Sequence, residues 1–213
     1  MKNTPPRPRG RPRSFDRNQA LCAAMRVFRE RGYDGATLAE LQEAMGGLSP
    51  PSLYAAFGSK EELFKEAVAS YVESTGEAGR CALTAELSTR DAIEQVMRAN
   101  VDAITKAGEP RGCMLVLGAL NCRAEDAEGA AAGEHLHKLR LETQRSILAR
   151  IKRGIREGDL PRETDAESLA TFITTVLHGL SIQARDGASR AALNAAVDHA
   201  MLAWDASVGA RKR

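Results

Sequence analysis

The amino-acid sequence predicts an all-α protein. Of its 213 residues, 43% are hydrophobic and only 4% are aromatic, and alanine, a strong helix former, is abundant. The 18 Gly and 8 Pro follow no period, which disfavours a β-sandwich with its regular turns. Apolar residues recur every three to four positions along most of the chain, as they do in amphipathic helices. A helical chain of this length forms one or two domains.

The first part of the chain predicts four consecutive helices with strong start and stop signals. Side chains that cap helix N-termini precede each apolar stripe, and glycines end the first three helices. The predicted helices run from Asp16 to Gly32, from Thr37 to Gly46-Gly47, from Ser49 to Gly58, and from Ser59 onward. Two short helices joined by a glycine turn and packed on a longer helix form a helix-turn-helix, so we predict a three-helix domain over residues 14–60.

A basic arm precedes this domain. Residues 1–13 contain five basic and no acidic residues and are rich in proline, so we predict that they are disordered in isolation. Residues 1–60 carry 10 Lys and Arg against 5 Asp and Glu, whereas the rest of the chain is slightly acidic. The segment Pro8-Arg9-Gly10-Arg11-Pro12-Arg13 resembles an AT-hook core, whose arginines enter the minor groove of A·T-rich DNA. The alternative is a solvated basic tail.

Residues 14–71 resemble the TetR family of bacterial transcriptional repressors. The resemblance lies in these fixed spacings: Phe28-x3-Gly32-Tyr33, Thr37-x3-Leu41, Gly46, Leu48-Ser49, and Leu53-Tyr54-x2-Phe57-x2-Lys60-x2-Leu63-Phe64. It implies that the helix after Ser49 enters the major groove and that Thr37, Tyr54 and Lys60 contact phosphates. One residue more than usual separates Thr37 from Tyr54, which leaves the register of that helix in the groove open.

The helix after Ser49 contains no Arg, Lys, Asn or Gln up to Phe57, so few bidentate contacts to bases are available. We expect the protein to select its DNA sequence through contacts of short side chains with the bases and through the shape of the DNA. The candidate contacts are thymine methyl groups against Pro50, Pro51 and Ala55, hydroxyl contacts from Ser49 and Ser52, and the arm from Arg9 to Arg13. The alternative for Tyr54 is a place in the core, and for Thr37 a purely structural cap.

The remaining residues, 61–213, predict a second helical domain. The family resemblance implies that its last two helices form a dimer interface and that its middle helices enclose an effector pocket. Interface candidates are Phe172, Val176, Leu180, Leu193, Val197, Met201 and Trp204; the alternative is that these side chains fill the core of one subunit. The segment from Cys113 to Leu120 is a near-continuous apolar run, which we assign to a buried helix rather than a strand.

The candidate pocket residues are aliphatic and predict a small apolar or amphipathic effector. They are Met97, Met114, Leu117 and Phe172, and the alternative is again ordinary core packing. Cys113 follows Arg111 and precedes a predicted helix, so it is a candidate sensor of oxidants or electrophiles, against the alternative of a small buried hydrophobic residue.

Several classes of function lack support in the sequence. His135 and His137 point to different helix faces and have no ligand at a suitable spacing, so we predict no metal and no cofactor. The sequence contains no nucleotide-binding loop, no HExxH motif and no GxSxG motif, which argues against an enzyme. The longest stretch without charged residues, 168–184, is too short and polar to span a bilayer, and the N-terminus lacks an apolar signal segment. We therefore expect a cytoplasmic protein without a membrane partner.

Taken together, these features predict a homodimeric repressor that binds a palindromic operator in double-stranded DNA and is released by a small molecule. The alternative is an architectural DNA-binding protein with little sequence preference and no effector. A discrete palindromic footprint is expected of the first and uniform, salt-sensitive coating of the second.

Overall fold

The computed structural model describes residues 16–120, 122 and 127–209, and these residues form helices and turns without any strand. The predicted all-α class is confirmed. Phe15 and the arm residues from Arg9 to Arg13 lie outside the described residues. The described part of the chain contains nine helices: α1 (Arg17–Gly35), α2 (Leu38–Ala44), α3 (Pro50–Phe57), α4 (Lys60–Thr84), α5 (Thr89–Ile104), α6 (Met114–Leu117), α7 (Ala127–Glu157), α8 (Ala166–Arg185) and α9 (Arg190–Gly209).

The four predicted N-terminal caps are present. Oδ1 of Asp16 accepts hydrogen bonds from the backbone N–H groups of Asn18 and Gln19. Thr37 with Glu40 and Ser59 with Glu62 form reciprocal capping boxes, and Ser49 caps α3, whose first two residues are proline. Each cap satisfies amide groups that a helix start otherwise leaves without partners, which explains why such short helices begin where they do.

Helices α1–α3 and the first half of α4 share one aromatic core. The rings of Phe28 and Phe64 meet edge to face at 5.0 Å between centroids, as do those of Tyr33 and Phe64. Leu41 and Leu53, from the two short helices, are fully buried against them. Burial of these stripes in a shared core stabilises helices that would be marginal alone. We call this unit, residues 16–71, the head.

A break in α1 attaches the head to the second domain. Gly32 has φ of 73° and ψ of 179°, a region that only glycine adopts readily, and the helix direction changes there. The next residue, Tyr33, donates its backbone N–H to the carbonyl oxygen of Gly118 over 2.7 Å. A Cβ atom at Gly32 would lie 3.2 Å from that same oxygen. Glycine at position 32 therefore permits both the turn and the close approach.

A buried arginine makes the second attachment. The guanidinium of Arg29 donates to Glu109 over 3.0 Å and to the carbonyl oxygen of Pro110, and it lies over the ring of Tyr71 at 5.1 Å. In turn, Arg185 of α8 donates to the carbonyl oxygen of Arg29. A charge this deeply buried needs such partners, so these contacts fix where α1 sits on the second domain.

Helices α5, α7, α8 and α9 enclose a second hydrophobic core around Trp204, which is 1% exposed. The buried Arg150 of α7 donates to Oγ1 of Thr89 and to the carbonyl oxygen of Leu87, which ties α7 to the start of α5. Between the two cores, the apolar run from Cys113 forms the short helix α6, as predicted, but only over Met114–Leu117. In the ranges the structure describes, every helix is too short or too polar to cross a membrane.

Replacing Gly32 with alanine should lower the free energy of unfolding by about 1–3 kcal/mol, because alanine must adopt a glycine conformation and crowd the carbonyl of Gly118. The matched control is Gly133→Ala in α7, where a Cβ atom meets nothing within 4 Å. That change should raise stability by about 0.5–1 kcal/mol. Urea unfolding of both variants measures the difference, and equal effects would contradict the assigned role of Gly32.

Candidate DNA-binding face and effector cavity

The turn between α2 and α3 contains the extra residue noted in the sequence. Gly46 and Gly47 both have positive φ, at 85° and 76°. Their N–H groups donate to the carbonyl oxygens of Glu43 and Gln42, and Leu48 also donates to Gln42. Two consecutive residues with positive φ are strained for any residue other than glycine. The turn is therefore closed by backbone bonds despite its additional residue.

One face of α3 packs into the core of the head, and the opposite face is exposed. Leu53 and Phe57 point inward and are buried, whereas Tyr54 is 46% exposed. The exposure of Tyr54 rules out the alternative that it belongs to the core of the head. The predicted contact residues Pro50, Pro51, Ser52 and Ala55 are exposed with it.

The hydroxyl groups at the start of α3 are bonded to each other. Oγ of Ser49 and Oγ of Ser52 lie 2.9 Å apart, and Oγ of Ser49 also accepts the backbone N–H of Ser52. Thr37 is exposed at the start of α2, and its Oγ1 lies 2.9 Å from Oε2 of Glu40. Hydrogen bonds from the backbone and the hydroxyl of Thr37 lower the pKa of Glu40. Thr37 is thus both a cap and part of the surface.

Several cations of the head pair with neighbouring groups. Arg17 bonds to Glu66 and stacks on Phe57, and Arg31 lies 3.8 Å from Glu40. Nζ of Lys60 lies 4.5 Å above the ring of Tyr33, at the start of α4. Lys60 is the first residue of α4, and Tyr54 lies three residues before the end of α3.

A cavity of about 290 Å³ lies in the second domain beside the head. Helices α4, α5 and α7 form most of its wall, and Cys113, Leu115 and Leu177 complete it. The predicted pocket residues Met97, Met114, Leu117 and Phe172 do not line this cavity, so that prediction was wrong for it. Met97 and Met114 are buried in the two hydrophobic cores, where periodicity alone could not distinguish them from cavity residues.

Tyr71 and Cys113 meet at the cavity wall. Tyr71 lines the cavity and is 4% exposed, and burial together with its hydrogen bond to Cys113 raises the pKa of its phenol. The backbone N–H of Cys113 donates to Oγ of Ser181 over 2.7 Å, which fixes the position of Cys113. Cys113 is half-buried and lines the cavity, so it does not lie wholly within a hydrophobic core.

Cys122 lies in a different environment. Its Sγ donates to Oδ1 of Asp34 across the boundary with the head, at 3.4 Å. Burial and the neighbouring carboxylate raise the pKa of the Cys122 thiol to about 11. The two half-buried cysteines therefore differ in their surroundings, with Cys113 at the cavity and Cys122 beside an acid.

The predicted dimer stripes face the inside of the subunit. Leu180, Leu193, Val197, Met201 and Trp204 are each at most 4% exposed and belong to the core, so their assignment as interface residues was wrong. Phe172 and Val176 are only partly buried. The exposed large apolar side chains of α8 and α9 are Ile182, at 44%, and Leu202, at 63%. Neither belongs to the apolar stripes that the sequence analysis assigned to these helices.

In the described ranges, no group of His, Cys, Asp and Glu side chains is placed to hold a metal. His178 of α8 is half-buried, and burial together with the charge of Arg140 lowers its pKa. His135 is half-buried in α7 and His137 is exposed, as expected for different helix faces.

Comparison with known proteins identifies this architecture. The family model "Bacterial regulatory proteins, tetR family" matches residues 20–67, and "Tetracyclin repressor-like, C-terminal domain" matches residues 89–201. The chain belongs to the TetR family. It is a DNA-binding transcriptional regulator with an N-terminal helix-turn-helix domain and a C-terminal helical domain.

Individual TetR-family relatives cover most of the chain. It is 31% identical to the transcriptional repressor ComR of Escherichia coli K12, over 85% of each chain, and 30% identical to the repressor BdcR of the same strain, over 84% of each. A solved structure of the TetR-family regulator CifR, a cysteine mutant complexed with 26-bp operator DNA, is 48% identical. That match has a TM-score of 0.85 and covers 91% of this chain and all of CifR.

Proposed function

We propose that this TetR-family chain is a homodimeric repressor that binds a palindromic operator and is released by a small molecule. The exposed face of α3 carries the proposal, because a helix held by its neighbours with Tyr54 and Ala55 outward is suited to the major groove. The relatives ComR and BdcR are named as repressors, and CifR was solved on operator DNA.

In this proposal, α3 and the two helices that flank it supply the contacts to phosphates. Tyr54 offers an exposed phenol, and Thr37 and Lys60 lie at the starts of α2 and α4, where helix amides attract anions. Pro50, Pro51, Ser52 and Ala55 provide only short contacts to bases, and Ser49 orders the helix start. Sequence choice then depends strongly on DNA shape, with Arg9, Arg11 and Arg13 of the arm in the minor groove.

An architectural DNA-binding protein is the second candidate. The predicted arm and the basic N-terminal part of the chain favour it, because charge alone supports binding without sequence preference. Helices α8 and α9 argue for the repressor, since Ile182 and Leu202 form exposed apolar positions on adjacent helices. We propose that α8 and α9 pack against the same helices of a second copy of this chain. A two-fold interface there presents two α3 helices to two half-sites.

Changing Leu202 to glutamate should convert the dimer to a monomer, because a charge would be buried against a second copy. Operator affinity should fall by roughly a hundredfold as one half-site is lost, and the footprint should lose its symmetry. Sedimentation and footprinting measure both effects. The control is Leu120→Glu, which changes a leucine that is 61% exposed elsewhere. A Leu202→Glu protein that stays dimeric contradicts the interface, and uniform coating of DNA by the unchanged protein favours the architectural candidate.

The cavity is the proposed effector site, and its position explains how a bound ligand affects the contacts that hold the head. Cys113 and Leu115 line it, and Gly118, just beyond α6, accepts the bond from Tyr33 of the head. Tyr71, also in the wall, lies under Arg29 of α1. A ligand that fits better when these contacts are shifted favours a spacing of the two heads that does not match the operator. This is a population shift and requires that the ligand prefer the released state.

Cys113 supports a second mode of response, in which an electrophile bonds to the cavity wall. Its sulfur lies beside the Tyr71 phenol, and its backbone is held by Ser181. With an activated alkene as the electrophile, the thiolate sulfur bonds to one carbon of the C=C bond, the π bond breaks, and a proton replacing the one lost by the thiol is taken up by the other carbon. The added group would occupy cavity space and disturb Tyr71, on which Arg29 rests.

Treatment with N-ethylmaleimide near neutral pH should abolish operator binding in a Cys22→Ser, Cys81→Ser protein, which lacks the two exposed cysteines. Adding Cys113→Ser should restore binding after treatment. Cys122 should contribute little, because a thiol with a pKa of about 11 is almost entirely protonated at that pH. Mobility-shift assays with mass spectrometry of the cysteine peptides provide the measurement. Equal loss of binding with and without Cys113 would refute its role.

Replacing Arg9, Arg11 and Arg13 with alanine should weaken operator binding. It should also reduce the slope of log affinity against log salt by up to about three units, since each phosphate contact contributes about one. The control removes three exposed cations of the second domain, Lys106, Arg145 and Arg156, so that net charge is matched. If the slope is the same for both triple variants, the arm does not contact DNA.

A further inference from the structure

The cavity wall contains a polar atom that the folded chain leaves unsatisfied. Asn100 of α5 lines the cavity, and its buried Oδ1 has no hydrogen-bond partner among the described residues. A buried acceptor without a donor lowers stability, so such atoms are uncommon in folded proteins. An amide oxygen left in this condition beside a cavity is suited to a donor supplied by a ligand.

Three other polar side chains of the wall already have partners. The hydroxyl of Thr143 donates to the carbonyl oxygen of Leu139 over 3.1 Å, and the hydroxyl of Ser146 donates to the carbonyl oxygen of Glu142 over 2.9 Å. The guanidinium of Arg80 donates to the carbonyl oxygens of Val72 and Glu73, eight and seven residues earlier in α4. These groups gain little from a ligand, whereas Asn100 gains a missing bond.

The surroundings of Asn100 are aliphatic. Val96 lies one turn before it on the same helix, Ala103 lies about one turn after it, and both line the cavity. The wall also includes Leu83, Leu115, Leu139, Ile147 and Leu177. At about 290 Å³, the cavity is roughly twice the size of one that holds benzene. An alkyl chain can therefore lie along α5 while its polar end reaches position 100.

Charged ligands fit this arrangement poorly. The wall has two charged side chains, those of Arg80 and Glu142, both in exposed residues, and the guanidinium of Arg80 is already bonded to the carbonyl oxygens of Val72 and Glu73. A carboxylate or ammonium group beside Asn100 would lose its hydration without gaining a counter-charge from the amide. A neutral donor loses less and satisfies Oδ1.

We propose that the cavity binds an uncharged aliphatic molecule whose single hydroxyl or N–H group donates to Oδ1 of Asn100. Asn100 thereby determines the class of effector. The inference rests on the proposed function in taking this cavity as the effector site, and it adds the ligand chemistry and the residue that selects it.

The test compares two isomers, heptan-1-ol and methyl hexyl ether, which have the same atoms but differ in the presence of a hydroxyl donor. Calorimetry on the full chain without DNA should show roughly tenfold tighter binding of the alcohol. Asn100→Leu, which keeps a side chain of similar size, should remove that preference. Ser146→Ala, which removes a hydroxyl already bonded within α7, should retain it.

Equal binding of the two isomers by the unchanged chain, absence of binding by either, or a preference that persists in Asn100→Leu would overturn the proposal. A measurement that needs no variant is the side-chain amide signal of Asn100 in a ¹⁵N spectrum. The alcohol should shift that signal and the ether should not, and equal shifts would also overturn the proposal.

Release of operator DNA is measured separately with the same two compounds. If the alcohol binds through Asn100 but leaves the operator complex intact, the inference stands and the effector role in the proposed function fails. If both isomers release the operator equally well, the proposed function stands and the role of Asn100 fails.

Discussion

The attachment between head and second domain constrains the rest of the structure. Because Gly32 lacks a side chain, Tyr33 can donate to Gly118 at the end of α6, and α1 turns at that point. Arg29 supplies the charged contact beside it, with Glu109 on one side and the Tyr71 ring below. Both attachments adjoin the cavity, one through α6 and the other through Tyr71 of α4, so residues that fix the head also lie at the cavity wall.

The sequence was sufficient to predict the head almost completely, because its signals are local. A cap such as Ser49 followed by Pro50, or a box such as Thr37 with Glu40, involves residues within one helical turn, and its physics does not depend on the rest of the fold. Gly58 marked a helix end for the same reason, since a positive φ favours glycine wherever it occurs. The sequence left the position of Tyr54 open, because Tyr54 lies next to Leu53 among the apolar residues of α3, and the structure shows that it is exposed.

The second domain was harder to predict because periodicity identifies an apolar face but not what covers it. Met201 and Trp204 form the same kind of stripe whether they pack within a subunit or between two, and here they pack within. Met97 and Asn100 are three residues apart on α5, yet the first is core and the second lines the cavity. That distinction depends on how α4 and α7 are placed, and no spacing within α5 contains that information.

The two prolines that open α3 have an electrostatic consequence for DNA recognition. Helix starts usually hold a phosphate through free amides, but Pro50 and Pro51 have none, and the next amide, of Ser52, is already bonded to Ser49. The tip of α3 is thus nearly inert toward anions. In the proposed complex, the helix amides that bind phosphates are therefore those at the starts of α2 and α4, while α3 contributes side chains alone.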